Sequence, residues 1–117
     1  MKTILLIEGD DSLRRRFRKF LEFEGFRVIS QESTQAARDF LADQPTEVDL
    51  VIVGLGQNDV GKLDVLLDQL ENTRVLLTTT GDFPVMEAPY PCLTKPVPPE
   101  RLVSKAHQLL FQRRATA

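Results

Sequence analysis

The sequence contains one cysteine, one histidine and no long apolar run. A single cysteine, Cys92, excludes an internal disulfide, so a reducing cytoplasm is the compartment we expect. No stretch approaches the roughly 18–20 consecutive apolar residues of a membrane-spanning helix. His107 lacks an evident acid and nucleophile to work with, which favours a surface or interface histidine over a catalytic one.

The chain also lacks an excess of charge of either sign. Its 15 basic and 17 acidic residues give a formal net charge of -2, which provides no overall attraction to nucleic acid or anionic lipid. The basic run at residues 14–19 lies within a helical pattern and has no aromatic stacking platform beside it. We interpret it as a solvated helix surface with partners four residues apart, such as Arg18 and Glu22.

The length of 117 residues and the hydrophobic content of 42% fit one soluble domain. We assign residues 1–112 to this domain and expect the polar residues 113–117 to fray. Within the domain, the first helical segment has Phe17, Phe20 and Leu21 among its apolar positions, and Asp10 or Asp11 can cap it.

Short apolar runs alternate with segments of helical periodicity along the domain. Such runs are typical of strands buried on both faces, and the alternation predicts an α/β fold with a parallel sheet and right-handed crossovers. Three prolines and Gly81 within residues 80–91 argue against a regular helix there. The predicted strands are residues 2–7, 26–29, 49–53, 74–79 and 91–94, and helices follow all of them except the fourth.

Four segments of the chain carry a more specific pattern. Residues 7–14 hold acids between a strand and a capped helix, residues 20–28 join a helix end to a strand, residues 49–53 form the third strand, and residues 93–96 contain a lysine–proline step. In this order they resemble the receiver domain of two-component response regulators. The resemblance implies a flavodoxin-like, doubly wound sheet of five parallel strands in the order 2-1-3-4-5, with helices on both faces and the fourth helix absent or reduced.

The resemblance also implies a chemistry that can be compared position by position. In the family, an aspartate after the third strand takes a phosphoryl group, and two acids after the first strand hold the Mg²⁺ that neutralises its oxygens. The acceptor position falls on Gly54, the second acid on Gly9 and the switching aromatic on Cys92, so all three are lost. Glu8 and Lys95 keep their places.

The hydroxyl that binds the phosphoryl group in the family falls on Thr79, with Thr78 and Thr80 as the neighbouring alternatives. Lys95 without a phosphoryl partner needs a counter-charge, so we expect Glu8 within salt-bridge reach, or Lys95 turned towards water. No catalytic residue, resident metal or cofactor is expected. The degenerate phosphorylation pocket is therefore assigned to Glu8, Gly9, Asp10, Gly54, Thr79 and Lys95.

This pattern predicts a pseudo-receiver, which is a protein-interaction module of a bacterial signalling pathway that works without phosphorylation and is not an enzyme. Two alternatives stay open. One is phosphorylation with Mg²⁺ at another acid, such as Asp10 or Asp59. The other is a small ligand that binds in the vacated pocket.

The interaction surface is expected beside the missing fourth helix. Loss of that helix uncovers apolar surface on the fourth and fifth strands, and a contiguous apolar surface usually marks an interface. We expect a protein partner of a signalling pathway, or a homodimer, at this surface, and neither a membrane nor nucleic acid. The surface is assigned to Phe83, Val85, Met86, Tyr90 and Cys92.

Overall fold

The computed structural model describes residues 1–55, 60–70, 72–79 and 90–111. Within these ranges, strands and helices alternate as the hydrophobic pattern predicts. The strands are β1 (Thr3–Ile7), β2 (Arg27–Gln31), β3 (Leu50–Leu55), β4 (Arg74–Thr79) and β5 (Cys92–Thr94), and the helices are α1 (Asp11–Phe23), α2 (Thr34–Asp43), α3 (Val60–Leu67) and α4 (Pro99–Phe111).

The five strands form one parallel sheet in the order β2-β1-β3-β4-β5, which confirms the predicted fold class. β1 lies between β2 and β3, and all five of its residues are buried. β2 extends two residues beyond its predicted end at Ile29, because its residues from Arg27 to Gln31 all pair with residues of β1. The partner strand, rather than the composition of β2 itself, therefore sets the length of β2.

The sheet has a core layer on each face. Because alternate residues of a strand point to opposite faces, β1 contributes to both layers. Helices α1 and α4 cover one face, and α2 and α3 cover the other. The first layer includes Ile4, Leu6, Phe17, Leu21 and Leu102, and the second includes Leu5, Ile7, Leu41, Leu63 and Leu66.

Side-chain caps fix the two helices that follow β1 and β2. Asp10 Oδ1 accepts a hydrogen bond from the backbone N–H of Leu13 at 3.0 Å, so Asp10 rather than Asp11 caps α1. Ser33 caps α2 in the same way, through its side-chain oxygen. After β5, the Lys95–Pro96 peptide bond is cis.

Two predictions concern parts of the chain outside the described residues. The predicted loss of a helix between β4 and β5 falls on residues 80–89, and the predicted fraying falls on residues 113–117. Tyr90 and Pro91, the described end of the β4–β5 connection, are not helical. None of the helices in the described ranges is long and apolar enough to cross a membrane.

Candidate functional site

The carboxyl ends of the strands bring the predicted pocket residues to one edge of the sheet. Glu8 directly follows β1, and Gly54 lies in β3 opposite Thr78 of β4. Lys95 directly follows β5, and its backbone N–H donates to the carbonyl of Thr79 at 2.6 Å. Residues from four strands therefore meet where a doubly wound sheet forms its sites.

Glu8 is a buried carboxylate with both of its oxygens engaged. Its side chain is 6% exposed, and Oε1 accepts a hydrogen bond from Lys95 Nζ at 2.7 Å. Oε2 accepts from the backbone N–H of Asp10 at 3.0 Å, and the Glu8 carbonyl accepts from Arg14 Nη1 at 2.8 Å. The expected pairing of Lys95 with Glu8 is confirmed, and the buried carboxylate has the counter-charge that it requires.

The space above Gly54 is filled by this same carboxylate. A Cβ atom built on Gly54 would lie 2.7 Å from Glu8 Oε1 and 3.2 Å from Glu8 Cδ. Real Cβ atoms essentially never approach another heavy atom more closely than 3.0 Å. The position that bears the phosphoaccepting side chain in the resembled family is therefore occupied here by the side chain of Glu8.

The threonines at the end of β4 face different neighbours. Thr78 Oγ1 would lie 3.4 Å from a Cβ on Gly54, so its hydroxyl is on the Gly54 side of β4. Thr79 Oγ1 lies 3.4 Å from the Sγ of Cys92. Both threonines are buried, and Thr80, the third alternative for the hydroxyl position, lies outside the described residues.

The acids at this edge do not fit a resident Mg²⁺. Both oxygens of Glu8 already accept hydrogen bonds, and Gly9 supplies no ligand. Asp10 caps α1, Asp11 pairs with Arg14, and the remaining alternative acceptor at position 59 lies outside the described residues. The described ranges contain no cluster of three histidine, cysteine, aspartate or glutamate side chains that could hold a metal ion.

No protein-family model matches the sequence, and no curated protein matches it. Solved structures do match. A two-component response regulator from Clostridium difficile has a TM-score of 0.80 at 18% sequence identity, over 96% of this chain and 98% of that chain. The chemotaxis protein CheY4 of Vibrio cholerae has a TM-score of 0.79 at 19% identity, over 94% and 99% of the two chains. The receiver domain of the hybrid histidine kinase CckA has a TM-score of 0.71 at 20% identity, over 92% and 98%. The chain has the receiver fold.

The predicted interaction surface of this receiver fold is described only in part. Tyr90 and Cys92 are half-buried and pack against the core layer of α2 and α3. Phe83, Val85 and Met86 lie outside the described residues. Where these three side chains lie relative to Tyr90 and Cys92 therefore stays a prediction.

A second surface of the receiver fold, on α1, does not follow from the sequence analysis. Phe20, one of the apolar positions of the first helical segment, is 37% exposed, and Phe23 is 88% exposed. Arg16, Lys19, Phe20 and Phe23 recur at the spacing of one helix face, and all four are exposed. The sequence signal for this surface was the helical spacing of Phe20 and Phe23 from Arg16 and Lys19. The ion pair of Arg18 with Glu22, at 3.2 Å, is the one that the sequence predicted.

Proposed function

We propose that this chain is a pseudo-receiver, a module of two-component or phosphorelay signal transduction that binds protein partners without being phosphorylated. The main support for this proposal is the position of the Glu8 carboxylate, which pairs with Lys95 and fills the space that a side chain on Gly54 would need. The receiver fold supports the signalling role, and this altered pocket supports the loss of the chemistry.

The pocket offers no route to an acyl phosphate. A phosphoryl acceptor must present a nucleophilic oxygen, and Gly54 has no side chain. The Glu8 carboxylate also neutralises Lys95, so the lysine is not free to attract phosphoryl oxygens. An incoming phosphoryl group would bring negative charge against a buried carboxylate, and such repulsion is strong where water is excluded.

The alternatives have less support from the same geometry. Phosphorylation at Asp10 would turn the Oδ1 atom that caps α1 from a charged into an uncharged and weaker acceptor. A small ligand in the vacated pocket would have to displace the Glu8 side chain from its contacts with Lys95 and Asp10. We therefore propose a binding module and not an enzyme.

The exposed face of α1 supports a role in protein binding. Arginine and aromatic side chains are enriched at protein interfaces, and Arg16 lies on one helix face with Phe20 and Phe23. Arg16 and Lys19 form no ion pair with another described residue. We propose an acidic protein partner for this face, because two copies related by a twofold axis would bring like charges together.

A homodimer, by contrast, is proposed through the surface that includes Tyr90 and Cys92 together with Phe83, Val85 and Met86. Sedimentation velocity at rising concentration tests this proposal. Replacement of Phe83 and Tyr90 by serine should then weaken self-association and leave the fold intact. A wild-type chain that stays monomeric at every concentration would contradict the dimer.

Exposure to acetyl phosphate, or to beryllofluoride with Mg²⁺, tests the proposed function directly. Intact-mass spectrometry and amide NMR spectra should be unchanged, while a phosphorylatable receiver domain treated in parallel gives the adduct. A stoichiometric phosphoryl adduct on this chain would overturn the proposal. Peptide mapping of such an adduct to position 10 or 59 would instead support the alternative acceptor.

A further inference from the structure

We infer that Glu8 is a relocated carboxylate, a positioning residue that supplies from the end of β1 the negative charge that residue 54 cannot supply. The inference has two parts. Glu8 pairs with Lys95, and the Glu8 side chain can hold this position only because residue 54 is glycine. The consequence for signalling, that the Glu8–Lys95 pair holds the site in a single state without a phosphoryl group, rests on the proposed function.

One oxygen atom, Glu8 Oε1, lies both beside Lys95 and over Gly54. Glu8 Oε1 lies 2.7 Å from Lys95 Nζ, and the same atom would lie 2.7 Å from a Cβ on Gly54. A carboxylate carried by residue 54 would therefore compete with the Glu8 carboxylate for one place beside the lysine. With any side chain at residue 54, the Glu8 carboxylate would have to leave its present position.

Several contacts keep Glu8 in this place. Its Oε2 accepts from the backbone N–H of Asp10 at the start of α1, and its carbonyl accepts from Arg14. Lys95 is also held by its own backbone N–H, which donates to Thr79. The ion pair therefore joins the end of β1 to the end of β5, and the Lys95 N–H joins β5 to the end of β4.

Gly9 provides a matched contrast to Gly54. A Cβ on Gly9 would meet its nearest neighbour, the carbonyl oxygen of Glu32, at 3.7 Å, which is ordinary van der Waals contact. Neither glycine has a positive φ. The requirement for glycine at position 54 thus comes from Glu8, and no equivalent requirement exists at position 9.

The first experiment places Gly54→Ala in the wild-type protein and in a Glu8→Ala background, and measures urea unfolding. Gly54→Ala should lower the urea midpoint of the wild type, because the new Cβ meets Glu8 Oε1. In the Glu8→Ala background it should leave the midpoint unchanged or raise it, because alanine is better than glycine inside a strand. Gly9→Ala should have the same effect in both backgrounds.

The second experiment combines Glu8→Ala with Gly54→Asp, which returns a carboxylate from the other position. The folding equilibrium constant should rise by roughly tenfold over that of Glu8→Ala alone, within the coupling range of contacting charged residues. The amide NMR shifts of Thr94 and Lys95 should also return towards their wild-type values. A purely structural role of Glu8 would not restore these shifts.

A third variant separates charge from shape. Glu8→Gln keeps the side chain over Gly54 and removes the charge, so Gly54→Ala should remain destabilising in that background. Should Glu8→Ala fail to fold, recovery of a folded protein by Gly54→Asp is the supporting result, and continued failure contradicts the inference.

Two results would overturn the inference: an equal effect of Gly54→Ala in the wild-type and Glu8→Ala backgrounds, or no gain from Gly54→Asp over Glu8→Ala. Neither result depends on the acetyl phosphate experiment. A phosphoryl adduct on the wild-type chain would overturn the proposed function alone. The Gly54 variants in the wild-type and Glu8→Ala backgrounds test only the role of Glu8.

Discussion

Glu8 and Lys95 carry opposite charges at a place where water reaches one partner better than the other. The Glu8 side chain is 6% exposed and that of Lys95 is 24% exposed. A buried ion pair adds little to stability by itself, but loss of one partner leaves the other charge unpaired. The stability lost on removing one partner therefore depends on whether the remaining side chain can turn towards water. Lys95 can do so more easily than Glu8, so removal of Glu8 should cost less.

This asymmetry predicts that Lys95→Met destabilises the protein more than Glu8→Gln does. Lys95→Met leaves a carboxylate with almost no access to water, and we expect a loss of about 2–4 kcal/mol in the free energy of unfolding. For Glu8→Gln, which leaves a lysine that can reach solvent, we expect about 1–2 kcal/mol. Urea unfolding measures both losses. Lys105→Met, which removes only an exposed hydrogen bond to Gln108, is the control, and a loss there as large as for Lys95→Met would contradict the argument.

An aspartate at position 54, where the resembled family carries its acceptor, is not expected to make this chain phosphorylatable. Gly54→Asp introduces a Cβ against Glu8, and Gly9 offers no carboxylate where that family has a metal ligand. The variant should unfold at lower urea than the wild type and should give no phosphoryl adduct with acetyl phosphate and Mg²⁺ by intact mass. Formation of the adduct by this variant would mean that Glu8 moves aside readily, in conflict with its contacts.

Residue types alone predict part of this site. A lysine at the end of the fifth strand needs a counter-charge, and Glu8 is the acid that remains at the end of the first, so the pair follows from the sequence. The contact of Glu8 with position 54 does not follow. It depends on the side-chain rotamer of Glu8 and on a third contact with the Asp10 N–H, which only the packed strands define.

At the scale of elements, the end of α4 is attached to the end of α1 through aromatic rings. Phe26, just after α1, lies with its ring centroid 5.0 Å from that of His107 and 6.1 Å from that of Phe111. His107 Nε2 also lies 3.4 Å from a carboxylate oxygen of Glu24. Phe26 is buried, whereas Phe111 is 57% exposed, so the contact loosens towards the end of α4.

This gradient predicts unequal costs for Phe17, which belongs to the core layer, and Phe111, which only stacks on Phe26. Phe17→Ala removes a ring that is 1% exposed in the middle of α1, and we expect a loss of about 3–5 kcal/mol. Phe111→Ala removes a half-exposed ring that stacks on Phe26, and we expect about 0.5–1.5 kcal/mol. Denaturant unfolding compares the two, and equal losses would contradict the described packing.

Periodicity predicts the elements better than it predicts their buried faces. The apolar positions of α1 identify the helix and its core residues Phe17 and Leu21, both fully buried. The same pattern includes Phe20, which is 37% exposed, so the apolar positions span a wider arc of α1 than the sheet buries. Similarly, the ends of β2 depend on its pairing with β1, which is a tertiary contact that local composition does not contain.

At the scale of the whole molecule, the net charge of the chain is only -2. The exposed face of α1 (Arg16, Lys19, Phe20 and Phe23) nevertheless has two positively charged side chains. Its two basic side chains flank two phenylalanines that no described core layer covers. A few aromatic and arginine side chains commonly dominate the binding energy of an interface. The overall composition therefore conceals a local surface of basic and aromatic side chains, which supports the proposed acidic partner.

This surface predicts that Phe23→Ser, combined with Phe20→Ser, weakens partner binding while the fold is retained. Phe23 is 88% exposed, so its replacement should change the free energy of unfolding by no more than about 0.5 kcal/mol. Phe20 is 37% exposed, so its replacement should cost more, about 1–2 kcal/mol. A partner captured by the immobilised wild-type domain, then purified, should bind the double variant roughly tenfold or more weakly by calorimetry. Its affinity for the wild type should also fall as salt rises, because acidic groups would meet Arg16 and Lys19. Val65→Ser on α3, which alters another exposed apolar side chain, is the matched control and should bind as the wild type does. Equal affinity for the wild type and the double variant would exclude this face from the interface and leave the surface of Tyr90 and Cys92 as the remaining proposal.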